Sequence, residues 1–500
     1  MVRPGTGDIT VPGAGDSVLV AGGGVTGPAV ARALLRLGVA VTVADGKPEA
    51  RAKVADEVPE ATVRDLDGFD AEALAGFGLV VVAPGFRPTA PIVTAARAAG
   101  VEVVGDVELA WRIDRAGAFG APREWLVVTG TNGKTTTTQM LETILLGAGR
   151  AAVACGNIGR PVIDAIADGT DPRVLAVELS SFQLHWAPSV RPRAGVVLNV
   201  AEDHLDWHGS MEAYTADKAR ALSGDLAVIG LDDPVASGLR GEVTVGFTTG
   251  VPAAGRYGVR DGVLVDGAGA AILPAADVSP PGPAGIADAL AATALAQAVG
   301  VTAAEAGAAL AGFRVGAHRA ETVGVVGGVA YIDDSKATNP HAALNSIEAH
   351  ERVVWVAGGQ LKGAEIDPLV ARVAPRLAGA VLLGVDAEKI AAAMARHAPD
   401  VPVVRVVTGH DSPVSPVTSD ANRSVGTSGT KEVLVSGDAD AAMAAAVGEA
   451  ARIAADGAAE AGPAPVVLLA PAAASLDMFS SYGHRGDAFA AAARGLGAAS

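Results

Sequence analysis

Apolar residues along this chain gather in short unbroken runs, and each run stops at a glycine or a polar cluster. Val18-Leu19-Val20, Leu126-Val127-Val128 and the stretches 79–82, 174–177, 195–200, 329–332, 353–356, 380–383, 403–406, 433–435 and 465–469 share this form. Runs without polar alternation predict strands buried on both faces, the habit of parallel sheets. Amphipathic stretches lie between them. Met140, Leu141, Ile144 and Leu145 fall at i, i+1, i+4 and i+5, the spacing of a helix that covers a sheet. The spacing predicts helices over 29–37 and 211–222, with Tyr214 and Lys218 on one face of the latter, and an alanine-rich pair over 285–310. Residues 223–283 alternate short β-like runs with turns. Residues 1–16 and 408–430, rich in Gly, Pro, Ser and Thr, predict a flexible tail and a flexible surface insertion. The pattern is α/β throughout, in three blocks of roughly 1–112, 113–315 and 316–500. Polar residues recur at strand carboxyl ends, where parallel sheets present their ligands.

Composition changes this picture mainly by exclusion. A mean hydropathy of +0.35 invites a membrane reading, but the longest uncharged helical stretch, 289–304, is broken by Gln297 and Gly300, so no membrane insertion is expected. The first sixteen residues carry no apolar signal core, and one cysteine, Cys155, excludes an internal disulfide; both point to a cytoplasmic protein. A net charge of −17 argues against nucleic acid as partner. Anionic small molecules stay possible, held by local cations.

The strongest chemical signal is Thr129-Gly130-Thr131-Asn132-Gly133-Lys134-Thr135-Thr136 between a strand and a helix. Backbone N–H groups and the helix start face an anion there, Lys134 reaches terminal phosphates, and the Thr135 hydroxyl suits Mg²⁺. Val128 stands where the common phosphate loop has its first glycine, so this one is shortened. Glu178 ends the apolar run 174–177 and should reach the same sheet edge as a metal carboxylate; a helix-capping Glu is the alternative. His204, in Asn199-Val200-Ala201-Glu202-Asp203-His204, is a further metal candidate. Lys218, read alone, is a solvated charge. Gly22, Gly24 and Gly27 spell GxGxxG with Asp45 downstream, which alone suggests a nicotinamide enzyme; any diphosphate at a helix start asks for the same glycines. Ala83-Pro84-Gly85 closes another strand. Both loops can also be packing turns.

These motifs, with His318-Arg319, 334–339, Gly358…Lys362-Gly363 and Ala472…Arg485-Gly486, occur in the order seen in the Mur ligases, and the chain resembles that family over nearly its whole length. The tail Pro471-Ala472-Ala473-Ala474-Ser475-Leu476-Asp477-Met478-Phe479 resembles the branch that adds D-glutamate. The resemblance implies three domains: Rossmann-like, P-loop ATPase-like and a second Rossmann-like one. It implies an ATP-dependent ligase of cell-wall precursor synthesis, a monomer, joining D-glutamate to UDP-N-acetylmuramoyl-L-alanine through an acyl phosphate with two Mg²⁺ ions. Gly24, Val25, Thr26, Asp45 and Gly85 would hold the UDP-sugar and Asn157 its sugar–alanine end. Residues Gly130, Thr131, Asn132, Gly133, Lys134, Thr135 and Thr136 would bind ATP together with His318, Arg319 and Asp334. Thr135, Glu178, His204 and a carbamylated Lys218 would hold metal. Lys336, Thr338, Lys362, Ser475, Leu476 and Tyr482 would receive D-glutamate. Asp288 stands where the family usually shows an Asn near the adenine, and Tyr482 where Phe is frequent.

The nearest rivals are a ligase of the same architecture with another amino acid, or a folylpolyglutamate-type enzyme. A regulatory ATPase is the rival of another class, and it leaves Lys336, Lys362 and Ser475 without work.

Overall fold

The computed structural model describes residues 10–408, 430–458 and 463–498. Most of the expected tail and of the expected insertion, 1–9 and 409–429, therefore lies outside the described residues. The chain divides into two compact units, one of residues 1–278 with 285–313 and one of 279–284 with 314–500.

The first unit holds two all-parallel sheets and a small antiparallel one. β1 (Ser17–Ala21), β2 (Ala40–Asp45), β3 (Thr62–Asp65), β4 (Leu79–Val82) and β5 (Glu102–Gly105) are ordered β3-β2-β1-β4-β5. β6 (Glu124–Thr129), β7 (Ala152–Gly156), β8 (Val174–Glu178), β9 (Ala194–Val197), β10 (Leu226–Gly230) and β11 (Thr244–Phe247) are ordered β11-β10-β9-β6-β8-β7. The β-like runs of 223–283 include β12 (Gly258–Arg260), β13 (Val263–Val265) and β14 (Ala271–Pro274), an antiparallel triplet.

Burial explains the unbroken apolar runs. Successive strand side chains face opposite sides. In β1, Val18 and Val20 belong to one core cluster, while Leu19 and Ala21 belong to another. The first cluster continues into the second sheet through Trp125, Val127, Leu175 and Val177, so the first two blocks of the sequence share a core. Truncating any of its large side chains to Ala should cost about 2–5 kcal/mol.

The second unit is a seven-stranded sheet made of β15 (Glu321–Val326), β16 (Val329–Asp333), β17 (Val353–Gly358), β18 (Leu377–Leu383), β19 (Val403–Thr408), β20 (Lys431–Val435) and β21 (Val466–Leu469), ordered β15-β16-β21-β17-β18-β19-β20. Only β15 and β16 pair antiparallel. Val353, Trp355 and Ala357 face one core cluster and Val354 and Val356 the other.

Two predicted elements end early. The helix expected over 211–222 stops at Ala219, and a 3₁₀ turn, Arg220–Leu222, completes it. The strand expected over 195–200 stops at Val197, because the backbone and side chain of Asn199 are taken by the phosphate loop.

Candidate active site

Strand β6 runs into the loop 130–133, and the helix Lys134–Gly147 starts at Lys134. Gly133 has φ 84°, a left-handed value, and a Cβ there would meet Asp288 Oδ1 at 2.4 Å, so only glycine fits. Asn199 braces the loop from β9's side. Its carbonyl accepts from Thr131 N at 3.0 Å, its Oδ1 accepts from Asn132 N at 2.9 Å, and its Nδ2 donates to the Asn132 carbonyl at 3.2 Å. Lys134 Nζ donates to the carbonyls of Gly130 and Thr131, each at 3.0 Å, which holds the ammonium within the curl of the loop. Thr136 is buried and Thr135 half-buried in the first helical turn. Asp288 is buried on the helix Pro283–Gln297 and accepts from Thr137 Oγ1 at 2.8 Å, so it braces the start of the phosphate-loop helix.

Pairing of β6 with β8 sets Val128 opposite Glu178, which brings this carboxylate to the loop's flank. Glu178 is 1% exposed. Its Oε1 accepts from Asn157 Nδ2 at 2.8 Å, and its buried Oε2 has no hydrogen-bond partner. A carboxylate oxygen left dry and unpaired is costly unless a cation or donor meets it. A hard carboxylate oxygen without a partner has the chemistry that Mg²⁺ takes, as has the Thr135 hydroxyl at the start of the loop's helix. His204 caps the short helix Leu205–His208 with φ 55°; its ring lies 4.8 Å from that of Phe182, and its Nε2 is 3.5 Å from Asp203 Oδ2. No group of three or more His, Cys, Asp or Glu side chains placed to hold a metal occurs among the described residues.

Lys218 departs from the solvated charge that its helical position suggests. It is 2% exposed, donates to the Gly130 carbonyl at 2.9 Å and sits 4.5 Å above the Tyr214 ring. Burial, and after it the like charge of Lys134, push its amine well below the usual lysine range. Two lysine nitrogens thus converge on one carbonyl, Gly130 O.

The other glycine loop follows β1. A Cβ on Gly27 would fall 2.1 Å from the Gly22 carbonyl, whereas Gly24 opens onto free space and Val25 is exposed beside it. Thr26 begins the helix Thr26–Arg36. Asp45 accepts from Gly23 N at 2.7 Å and from Lys47 N at 2.8 Å, so it shapes the loop. Gly85 follows β4, and its carbonyl accepts from Trp207 Nε1 at 3.2 Å. Arg87 pairs with Asp206 at 3.1 Å. The structure therefore joins the Gly85 turn directly to the segment carrying His204.

In the second unit the predicted residues crowd one edge of the sheet. His318, with φ 63°, pairs through Nδ1 with the buried Asp333 at 2.7 Å. A Cβ on Gly486 would strike that pair, 2.2 Å from His318 Nδ1. Burial pushes Asp334 up to about 6, against the opposing charge of Arg319. Thr338, Ser475, Leu476 and Tyr482 line one pocket of about 240 Å³ together with Ala474, Ser480 and Ser481. Pockets for drug-sized ligands run to roughly 300–1,000 Å³, so this one suits an amino acid better than a nucleotide. Lys336 Nζ lies 3.9 Å from the centre of the Tyr482 ring, a cation–π contact that the extra hydroxyl does not disturb. Lys362 is exposed on the turn after β17, with φ 53°, and is not among the pocket's lining.

Several residues to which the sequence reading gave no role of their own hold these sites. Arg485, 1% exposed, donates from Nε to Ser335 Oγ, from one terminal nitrogen to the carbonyls of Gly358 and Ala473, and from the other to the Ser335 carbonyl. Ser335 Oγ in turn donates to the Tyr482 carbonyl at 2.7 Å. One guanidinium thereby pins the loops that carry Lys336, Lys362, Ser475 and Tyr482, and burial pulls its pKa down to about 10. In the first unit Asn199, Asp217, His208 and Ser181 do similar work. Their signal in the sequence was position alone, beside a strand end or a candidate ligand.

Comparison with known proteins matches three family models in order: the Mur ligase MurD-like N-terminal domain over 16–105, the Mur ligase middle domain over 128–253 and the Mur ligase glutamate ligase domain over 318–473. The UDP-N-acetylmuramoylalanine–D-glutamate ligase of Mycolicibacterium smegmatis is 57% identical, covering 98% of both chains. The protein of the same name from Rhodococcus jostii is 57% identical over 95% of this chain and 94% of its own. Among solved structures, UDP-N-acetylmuramate–alanine ligase from Thermotoga maritima matches with a TM-score of 0.53 at 18% identity, over 96% of this chain and 99% of that one. A pseudomurein peptide ligase type C from Methanothermus fervidus matches at 0.50 and 17% identity, over 91% and 96%. Likeness at that identity speaks to the fold alone.

Proposed function

We propose that this chain, which belongs to the Mur ligase family, joins D-glutamate to UDP-N-acetylmuramoyl-L-alanine at the expense of ATP, in peptidoglycan precursor synthesis. The observation that carries the reading is the phosphate loop with Lys134 inside it and the unpaired Glu178 oxygen at its flank. Full-length identity to ligases of that name supports the substrate pair. No helix among the described residues is long and apolar enough to cross a membrane. A cytoplasmic setting is supported by the single, buried Cys155, whose thiol burial pushes up to about 12.

In the first step an oxygen of the alanine carboxylate attacks the γ-phosphorus of ATP, the bond to the β–γ bridging oxygen breaks, and ADP leaves. Lys134 and the loop N–H groups hold the triphosphate and offset its charge against the incoming carboxylate. Glu178 and Thr135 would hold one Mg²⁺, and His204 with a carbamylated Lys218 a second. When bound, the ions neutralise phosphate oxygens and align them. Carbamylation needs a neutral amine, and burial shifts the Lys218 amine in that direction. Its product is an anion, which would face the Lys134 ammonium across the Gly130 carbonyl. Gly24, Val25, Thr26, Asp45 and Gly85 hold the uridine diphosphate part, and Asn157, fixed by Glu178, faces the sugar–alanine end.

In the second step the D-glutamate nitrogen attacks the acyl carbon, the carbon–oxygen bond to phosphate breaks, phosphate leaves and the nitrogen loses a proton. Thr338, Ser475, Leu476 and Tyr482 supply the pocket, with Lys336 and Lys362 as counter-charges for its carboxylates. His318, Arg319 and Asp334 are the residues that the family resemblance assigns to ATP in the second unit. A monomer is the state that the family resemblance implies, and the net charge of −17 argues against nucleic acid as partner.

The test is phosphate release with ATP, Mg²⁺ and UDP-N-acetylmuramoyl-L-alanine, with and without D-glutamate and across a panel of amino acids. Sustained turnover should require D-glutamate. Turnover indifferent to the amino acid would favour a regulatory ATPase instead.

A further inference from the structure

His208 does not belong to any of the candidate ligand sets, yet its side chain is fully buried and both ring nitrogens are engaged. Nδ1 lies 3.1 Å from Asp217 Oδ2, and Nε2 lies 2.9 Å from Ser181 Oγ. A carboxylate only accepts, so Nδ1 donates to Asp217, while Nε2 and the serine hydroxyl share the other hydrogen bond. The ring stacks on Phe182 at 5.4 Å with 7° between planes, and packs 5.1 Å from Tyr214.

These contacts tie the segment of His208 to two others of the candidate metal site. Ser181 opens the helix Ser181–His185, three residues beyond Glu178. Asp217 adjoins Lys218 on the helix Met211–Ala219. His208 itself closes the short helix that His204 caps. Tyr214 extends the frame to the phosphate loop, since its hydroxyl lies 3.1 Å from Thr131 Oγ1. Asp217 is shared with His185, whose Nδ1 is 2.9 Å away, and with Arg220 at 3.3 Å.

We propose that His208 is a positioning residue of this ligase: one flat ring, bonded at both ends, fixes the mutual spacing of the segments that carry Glu178, His204 and Lys218. An apolar side chain of the same size would fill the space but hold neither Ser181 nor Asp217. Partners one layer behind a metal's ligands orient them, and their loss costs about 10- to 100-fold in affinity or activity.

The inference rests on the metal and nucleotide assignment above, and the experiment separates the two. Mn²⁺ binding is titrated by electron paramagnetic resonance in the presence of a non-hydrolysable ATP analogue, for the parent protein and for S181A, H208N and E178Q. Melting temperatures are recorded alongside. S181A keeps the ring and its packing and removes only the Nε2 partner, so it stays informative if H208N fails to fold. H208N keeps an N–H for Asp217 but cannot span to Ser181. Both should weaken Mn²⁺ binding well below their melting temperatures, H208N by about 10- to 100-fold and S181A by less. Combining S181A with E178Q should weaken binding little beyond E178Q alone, because both act through one ligand. Folded variants that bind Mn²⁺ like the parent, with only the melting temperature lowered, would overturn the positioning role. A parent protein that binds Mn²⁺ and responds to S181A but forms no amide would instead overturn the ligase reading and leave this one standing.

Discussion

The proposed phosphate-loop site of the first unit and the proposed amino-acid pocket of the second would solve the same problem, holding an anion, by opposite means. The first gathers its groups locally: Gly130, Thr131, Gly133 and Lys134 are neighbours in sequence, and the helix start supplies the field. The second draws Thr338, Ser475 and Tyr482 from ends of separate segments and relies on buried Arg485 to keep them together. In the proposed reading Lys134 meets the ligand directly, whereas in the second region one cation, Arg485, is spent on the scaffold beside the lysines that would meet it. The difference implies that lesions in the first region should strike chemistry and lesions in the second should strike acceptor binding.

The largest expected effect tests the first half of that contrast. Lys134→Ala should lower acyl-phosphate formation at least about a thousandfold with little change in melting temperature; trapping the acyl phosphate with hydroxylamine measures it, and near-normal trapping would break the comparison.

A second test asks whether an unpaired carboxylate oxygen signals a ligand in general. Asp106, on the helix Asp106–Arg115, also has a buried oxygen without a partner, and burial pushes this acid up to about 6 from the usual 3.8. Below about pH 4 it is protonated folded and unfolded, and nothing is lost. Between pH 4 and 6 the unfolded chain ionises first, so stability falls as pH rises, and above 6 the loss is constant. Asp106→Asn should therefore stabilise the protein at pH 7 by up to about 3 kcal/mol, roughly a hundredfold in the folding constant, and by little at pH 4. Urea unfolding at both pH values measures this. Glu178→Gln should show no such pure gain, because it also loses Mg²⁺ binding.

Arg485→Lys removes the forked geometry while keeping the charge. It should raise the KM for D-glutamate about tenfold and leave that for ATP unchanged; equal effects on both would erase the contrast between the regions. The smallest change is expected from Tyr482→Phe. Lys336 faces the ring rather than the hydroxyl, so the KM for D-glutamate should stay within about threefold, whereas Tyr482→Ala loses a contact of about 0.5–2 kcal/mol.

The sheets were legible because a strand buried on both faces leaves an unbroken apolar run, as Leu79–Val82 does. The phosphate loop was legible because its chemistry is contiguous. Lys218 was misread without the family resemblance, since helical spacing says which residues share a face but not whether that face is dry. Asn199 looked like the end of a strand, because nothing local announces that its hydrogen bonds belong to a loop many residues earlier. Arg485 was legible only as part of the motif that ends in Arg485-Gly486, without a role of its own, and His208 carried no signal beyond its neighbours.

By itself the sequence determined the alternation of strands and helices, the anion-binding turn at Gly133-Lys134 and the order of motifs along the chain. These depend on side chains close in sequence, whose periodicity and conformational limits act locally. Only the tertiary structure decided that Lys218 is buried beside Lys134, that Glu178 keeps an oxygen unpaired, and that Arg485 and His208 each tie distant segments together. Desolvation and hydrogen-bond partnership are properties of the packed surroundings, which pairing across the sheets creates.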